Sequence, residues 1–209
     1  MRLILMRHGE TVWNAERRLQ GHADAPLSPR GIEQARRAAK FFADGPPPGL
    51  VMSSDLSRAR HTAELLGFSD FATDERLREM DLGDWTGRWI EEIEASDRGA
   101  YRNWRLGSYT PPGGEGWRPF RERVGAAFAE AIDRSDGDVV IVAHEGVVRA
   151  ACDVLISLPP SNLSPIAPAA ITIFEVNHSA QPHGARLVAF NITPSPDDLR
   201  TFGLDHVSV

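Results

Sequence analysis

The sequence predicts an α/β protein: a three-layer sandwich with a mostly parallel central sheet flanked by helices, plus a partly helical excursion over about residues 75–117. Three observations carry this expectation. Short, wholly apolar runs recur at Leu3-Ile4-Leu5-Met6 and Val139-Val140-Ile141-Val142-Ala143, as in strands buried on both faces. Between them lie segments whose apolar residues repeat at helical spacing. Strand and helix signals alternate, the pattern of parallel strands joined by crossover helices.

The elements follow in order. Residues 2–6 read as the first buried strand and run into the polar segment Arg7 to Arg18. Ser28 with Pro29 opens a helix whose apolar positions are Ile32, Ala35, Ala39 and Phe42, and Gly45-Pro46-Pro47-Pro48-Gly49 ends it. Leu50-Val51-Met52 is a second strand. Asp55 is the expected cap of a helix running to about Leu66. Phe71-Ala72-Thr73 is a third short strand. The excursion holds four of the five tryptophans and the break Pro111-Pro112-Gly113-Gly114, and is expected to cover a site at the strand ends. A helix over about 118–134 shows Val124, Phe128, Ala131 and Ile132 on one face. Residues 138–143 form the clearest buried strand, helix 146–157 follows, and 169–176 and 185–191 are two strands joined by a polar turn.

The 209 residues suit one domain, 1–209, with ample core. A net charge of −6 lacks the broad basic face that nucleic acid or an anionic membrane requires. No apolar run approaches a membrane span, and residues 1–6 are too short for a signal-peptide core, so a cytoplasmic protein is expected. A single cysteine excludes a disulfide framework.

In such sheets ligands collect outside the carboxyl ends of the strands. Two strand ends place a histidine directly after a buried run: Arg7-His8-Gly9-Glu10-Thr11, and His144-Glu145-Gly146. Two such histidines, one flanked by arginine, point to anionic chemistry. Spacing alone does not choose between His8 and His144 as the reactive one. Cys152, two turns beyond His144, reads as a core residue, because a reactive thiol needs an exposed, electropositive setting.

The stretch Leu5-Met6-Arg7-His8-Gly9-Glu10-Thr11 resembles the opening signature of the histidine phosphatase superfamily, also called phosphoglycerate-mutase-like. The resemblance continues through Trp13-Asn14, Gln20-Gly21 and the run Asp24 to Ala35. It returns at Ser53 to Ala63, at Leu77 to Gly87, and at Val140 to Ala150, in family order. The carboxyl-terminal third matches only in strand pattern. The middle segment looks most like broad-specificity bacterial phosphatases or α-ribazole phosphatase.

The resemblance implies a metal-independent phosphomonoesterase acting through a phosphohistidine, with no cofactor. The alternatives are a phosphoglycerate mutase and, in another class, a non-catalytic phospho-ligand sensor. It implies His8 as nucleophile, and a neutral imidazole suits attack on a phosphate dianion. Arg7 and Arg58 are the expected planar donors to the transferred phosphoryl group, with His144 adding a hydrogen bond. Glu79 matches the general acid, with Asp81 or Asp84 as the alternative. Asn14, Gln20, Thr11, backbone Gly21 and Glu145 complete the expected substrate-binding set. His61 either borders the pocket or lies on the helix surface. No metal ligand is assigned. The expected partner is a small phosphorylated metabolite, and the chemistry admits a homodimer.

Two positions depart from the family pattern. Glu145 stands where glycine is usual, and its carboxylate would repel a phosphate unless it turns away or pairs with an arginine. Gly114-Glu115-Gly116 stands where Gly-Glu-Ser is usual, which removes a serine contact.

Overall fold

The computed structural model describes residues 1–43, 45–177, 184–195 and 197–198. Six strands form one sheet: β1 (Arg2–Arg7), β2 (Leu50–Ser53), β3 (Ala72–Thr73), β4 (Val139–Ala143), β5 (Ile171–Asn177) and β6 (Gly184–Ile192). Their order is β3-β2-β4-β1-β5-β6. The first four run parallel, while β5 and β6 pair antiparallel at one edge. The sheet is therefore mixed, with the parallel part placed as expected. The turn expected between β5 and β6, 178–183, lies outside the described residues.

Period-two alternation in the buried runs divides the core. Leu3, Leu5, Val139 and Ile141 point to one face and pack with Phe120, Val124 and Phe128 of α7 (Trp117–Asp133) and Val147 and Ala151 of α8 (Glu145–Ile156). Ile4, Met6, Val140 and Val142 point to the other and pack with Ala38 of α2 (Pro29–Ala38) and Ala59 and Ala63 of α4 (Ser57–Leu65). Two helical layers thus enclose the sheet. The excursion carries α5 (Ile90–Ser96) and α6 (Ala100–Arg105) and two short 3₁₀ turns. It has a small core of its own, built from Leu19, Leu82, Trp85, Ile93 and Ala100. Trp85 stacks on Tyr109 within it, at 5.4 Å between ring centroids.

Two expectations about helices are corrected. Asp55 does not cap α4, because its carboxylate takes the Arg78 guanidinium (Arg78 Nε to Oδ1, 2.9 Å). The cap position is Leu56, and the Ser57 N–H and hydroxyl donate instead to Asp24 Oδ1 at 3.0 and 2.6 Å, a cap from a distant loop. The Ser28 helix does start as expected, with Ser28 Oγ accepting from the Gly31 N–H and Pro29 in the first turn. It ends at Ala38, however, and Phe42 lies on a separate turn, α3 (Lys40–Ala43). Its buried face is Gly31, Gln34, Ala35 and Ala38, one step round from the expected one. That face is set by a close approach: a Cβ on Gly31 would overlap the Glu10 backbone.

Candidate active site

The strand ends open into a cleft of about 770 Å³. Arg7, His8, Asn14, Gln20, Gly21, Arg58, Glu79 and Glu145 line it, and the excursion adds Leu82, Ile90, Tyr101, Trp104 and Arg105. The expected cover is in place, and most of the expected residues converge.

Register brings the two histidines together. Arg7 pairs with Ala143 across parallel β1 and β4, so the residues after them, His8 and His144, emerge side by side. Their ring centroids are 5.2 Å apart. The His8 N–H donates to Ala143 O (2.9 Å), which fixes the strand end. His8 Nδ1 lies 2.7 Å from Gly9 O, a carbonyl that can only accept. The ring proton therefore sits on Nδ1, and Nε2 carries the lone pair. Burial, then the charges of Arg58 and Arg7, push the His8 imidazole well below its ordinary range, so it is neutral near pH 7.

His144 is wholly buried and is pushed down in the same way, by burial and then Arg58. Its Nε2 lies 2.9 Å from Ser54 Oγ, while Nδ1 has no partner among the described residues. It does not itself line the cleft.

Arg58 is buried at 1% exposure and held from behind. Its Nη1 donates to Ala23 O (2.7 Å) and its Nη2 to Gly21 O (2.8 Å). Gly21 thus acts through its carbonyl on Arg58. Burial lowers the Arg58 guanidinium to about 10, still charged at neutral pH. Arg7 donates through Nη1 to Ile166 O and lies 3.2 Å from Glu145 Oε2.

Glu79 lines the cleft; Asp81 and Asp84 do not. Asp81 accepts instead from the Gly83 N–H (3.0 Å). The Glu79 carboxylate accepts from the Met80 N–H at Oε1 (2.9 Å) and the Gly146 N–H at Oε2 (3.2 Å). Gly146 must be glycine for this, since a Cβ there would overlap Glu79 Oε1.

Thr11 is corrected: it does not line the cleft, because its hydroxyl caps α1 (Val12–Ala15), accepting from the Asn14 N–H and donating to Asn14 Oδ1, both at 3.1 Å. Asn14 is oriented by that cap. Gln20 is buried on the wall, with its Oε1 unpartnered among the described residues. His61 is exposed on α4 and away from the cleft. Cys152 is wholly buried, and burial pushes its thiol up to about 11, which leaves it inert. Among the described residues no group of three or more His, Cys, Asp or Glu side chains is placed to hold a metal ion, and no helix is long and apolar enough to cross a membrane.

Glu145 neither faces away nor stands unpaired. Oε1 accepts from Arg105 Nη2 (2.5 Å) and from the Ile166 N–H (3.4 Å), and lies 3.7 Å from Arg149 Nη1. Burial alone would raise this carboxyl, but the charges of Arg105, Arg7 and Arg149 hold it at about 2. Sequence reasoning missed Arg105, Arg149 and Tyr101. The unusual Glu145 was the available signal, since a carboxylate beside an anion site demands cations of its own.

A family profile described as Histidine phosphatase superfamily (branch 1) matches residues 3–193, so the likeness extends well into the carboxyl-terminal third. A glucosyl-3-phosphoglycerate phosphatase of Mycolicibacterium vanbaalenii is 39% identical over 173 residues, covering 77% of this chain and 76% of that protein. A probable phosphoglycerate mutase of Salmonella paratyphi C is 35% identical over 152 residues, covering 70% of each. The solved structure of a mycobacterial glucosyl-3-phosphoglycerate phosphatase with VO3 superposes at a TM-score of 0.84 and 34% identity, covering 92% of this chain and 99% of that one.

Proposed function

Because the chain belongs to the histidine phosphatase superfamily, we propose that it is a phosphomonoesterase working through a phosphohistidine on His8. One observation supports this above the rest. His8 turns Nδ1 to the Gly9 carbonyl, which leaves Nε2 as the nucleophilic nitrogen, in a cleft lined by Arg7 and Arg58 and by a carboxyl group, Glu79.

In the first half-reaction the Nε2 lone pair attacks phosphorus and the P–O ester bond breaks. The leaving oxygen takes the proton of the Glu79 carboxyl. Arg7 and Arg58 offer planar donors to the equatorial oxygens, where charge accumulates. His144 lies beneath the cleft surface against the His8 ring, with Nε2 held at 2.9 Å from Ser54 Oγ, and supports His8 from there. In the second half-reaction the Glu79 carboxylate takes a proton from water, whose oxygen attacks phosphorus. The N–P bond breaks, its electron pair returns to Nε2, and orthophosphate leaves. The guanidinium groups of Arg7 and Arg58 supply the positive charge around the phosphoryl oxygens, so the mechanism requires no metal ion.

The cleft is far larger than one phosphate, and its outer wall carries Tyr101, Trp104 and Arg105. That wall, with its two aromatic rings, suits an ester whose alcohol is bulky, in keeping with the glucosyl-3-phosphoglycerate named for the mycobacterial relatives. Among the relatives noted above, the phosphatase at 39% identity stands above the probable mutase at 35%, which favours hydrolysis over phosphoryl return to a second hydroxyl. The test is orthophosphate release from p-nitrophenyl phosphate and from phosphoglycerate esters in excess EDTA. Release that persists in EDTA and disappears in His8→Ala supports the reading. Activity restored only by added Mg²⁺ or Zn²⁺ contradicts it.

A further inference from the structure

Four charged side chains meet in the cleft wall, and the proposed steps use only one of them. Glu145 is the first residue of α8, where a negative charge also suits the helix amino terminus. Its carboxylate contacts Arg7 from β1, Arg105 from α6 and Arg149 from its own helix. The Glu145, Arg7 and Arg149 side chains are 11%, 6% and 6% exposed, so water screens the cluster poorly.

The two oxygens divide the work. Oε2 takes Arg7 Nη1, the same nitrogen that donates to Ile166 O, so the Arg7 fork is fixed from two sides. Oε1 takes Arg105 Nη2, and Arg149 Nη2 donates to the Arg105 carbonyl, so both the side chain and the backbone of Arg105 are tied to α8. Arg105 ends α6, whose Trp104 packs between the excursion's small core and the core on one face of the sheet, and Arg105 adds a polar tie beside that apolar contact. A single carboxylate therefore links the phosphate-facing arginine to the element that covers the cleft.

We propose that Glu145 is a positioning residue: it orients Arg7 for the phosphoryl group and seats α6 over the cleft through Arg105. Its negative charge by itself opposes an anionic substrate. Removal therefore has two opposite effects, freeing guanidinium charge that binds anions and loosening the geometry that serves turnover. A merely structural role, or a merely repulsive one, would not divide binding from turnover in this way.

The turnover readout rests on the phosphatase reading; the binding and exchange readouts do not. The experiment compares the wild type with Glu145→Gln and Glu145→Asp, the latter keeping the charge on a shorter arm. It measures kcat on p-nitrophenyl phosphate, orthophosphate affinity by calorimetry, and backbone hydrogen exchange in residues 100–105. For Glu145→Gln the expected results are a kcat lower by about ten- to a hundredfold, the scale of a small misplacement of a catalytic group, orthophosphate bound at least as tightly, and faster exchange over 100–105. Glu145→Asp should recover part of kcat. An unchanged kcat, weaker orthophosphate binding, or unchanged exchange over 100–105 overturns the proposal. Should Glu145→Gln fail to fold, Arg105→Gln keeps the Arg7 contact and removes only the tie to α6; unchanged exchange there overturns the proposal equally. A wild type that turns over no ester but binds orthophosphate defeats the phosphatase reading instead, and the exchange result still decides this one.

Discussion

The tautomer of His8 is set by one atom, the Gly9 carbonyl oxygen 2.7 Å from Nδ1. That oxygen turns an ordinary histidine into one with a committed lone pair, and burial beside two arginines keeps it neutral. Glu79 is similarly placed by two backbone N–H groups. If Glu79 protonates the leaving oxygen, Glu79→Gln loses far more rate on alkyl phosphates than on p-nitrophenyl phosphate, whose leaving group needs little help. The difference should approach the range of about 10²–10⁴-fold that general acids contribute. Steady-state rates on both substrates measure it, and equal losses would remove Glu79 from that role.

At the scale of elements, close backbone approaches set the site. Gly146 opens the first turn of α8 to the Glu79 carboxylate, and Gly31 lets α2 lie against the Glu10 backbone. Gly146→Ala should lower kcat while leaving orthophosphate affinity nearly intact, because it displaces the acid and not the arginines; a proportional loss of both would contradict this. Gly31→Ala should destabilise the fold by about 1–3 kcal/mol, the usual cost of overpacking, read as a lower urea midpoint. Much of this level was legible beforehand. The strands β1 and β4 are runs without a polar interruption, and Ser28-Pro29 is an unambiguous helix start. The cap of α4 was not legible, because Asp24 supplies it from a loop 33 residues away while Asp55, in the expected position, is drawn off by Arg78. Arg105 was hidden for a related reason. The excursion has no periodicity that says which of its many charges turn inward, and only the cluster on Glu145 identifies it.

At the scale of the molecule, the order β2-β4-β1 puts His8 and His144 on adjacent strand ends, and their burial has a cost that depends on pH. Both imidazoles stay neutral well below their ordinary 6.5 in the folded protein. The unfolded chain takes up those protons near 6.5 and the folded one does not. Stability is therefore full above that pH and falls below it, by up to about 1.4 kcal/mol per pH unit for each histidine. Glu145, held at about 2, adds no slope until the unfolded carboxyl titrates near 4.5. Urea midpoints at pH 7.5, 6.5 and 5.5 should thus decline, and a flat series would mean that the two imidazoles are not held neutral. The same neutrality is what the proposed chemistry requires of His8. The most direct test of that chemistry is rapid-quench trapping with a radiolabelled phosphate ester, followed by peptide mapping. The expected result is an acid-labile, base-stable label on His8 that is absent from His8→Ala. Label on any other residue, or label persisting in His8→Ala, would contradict it.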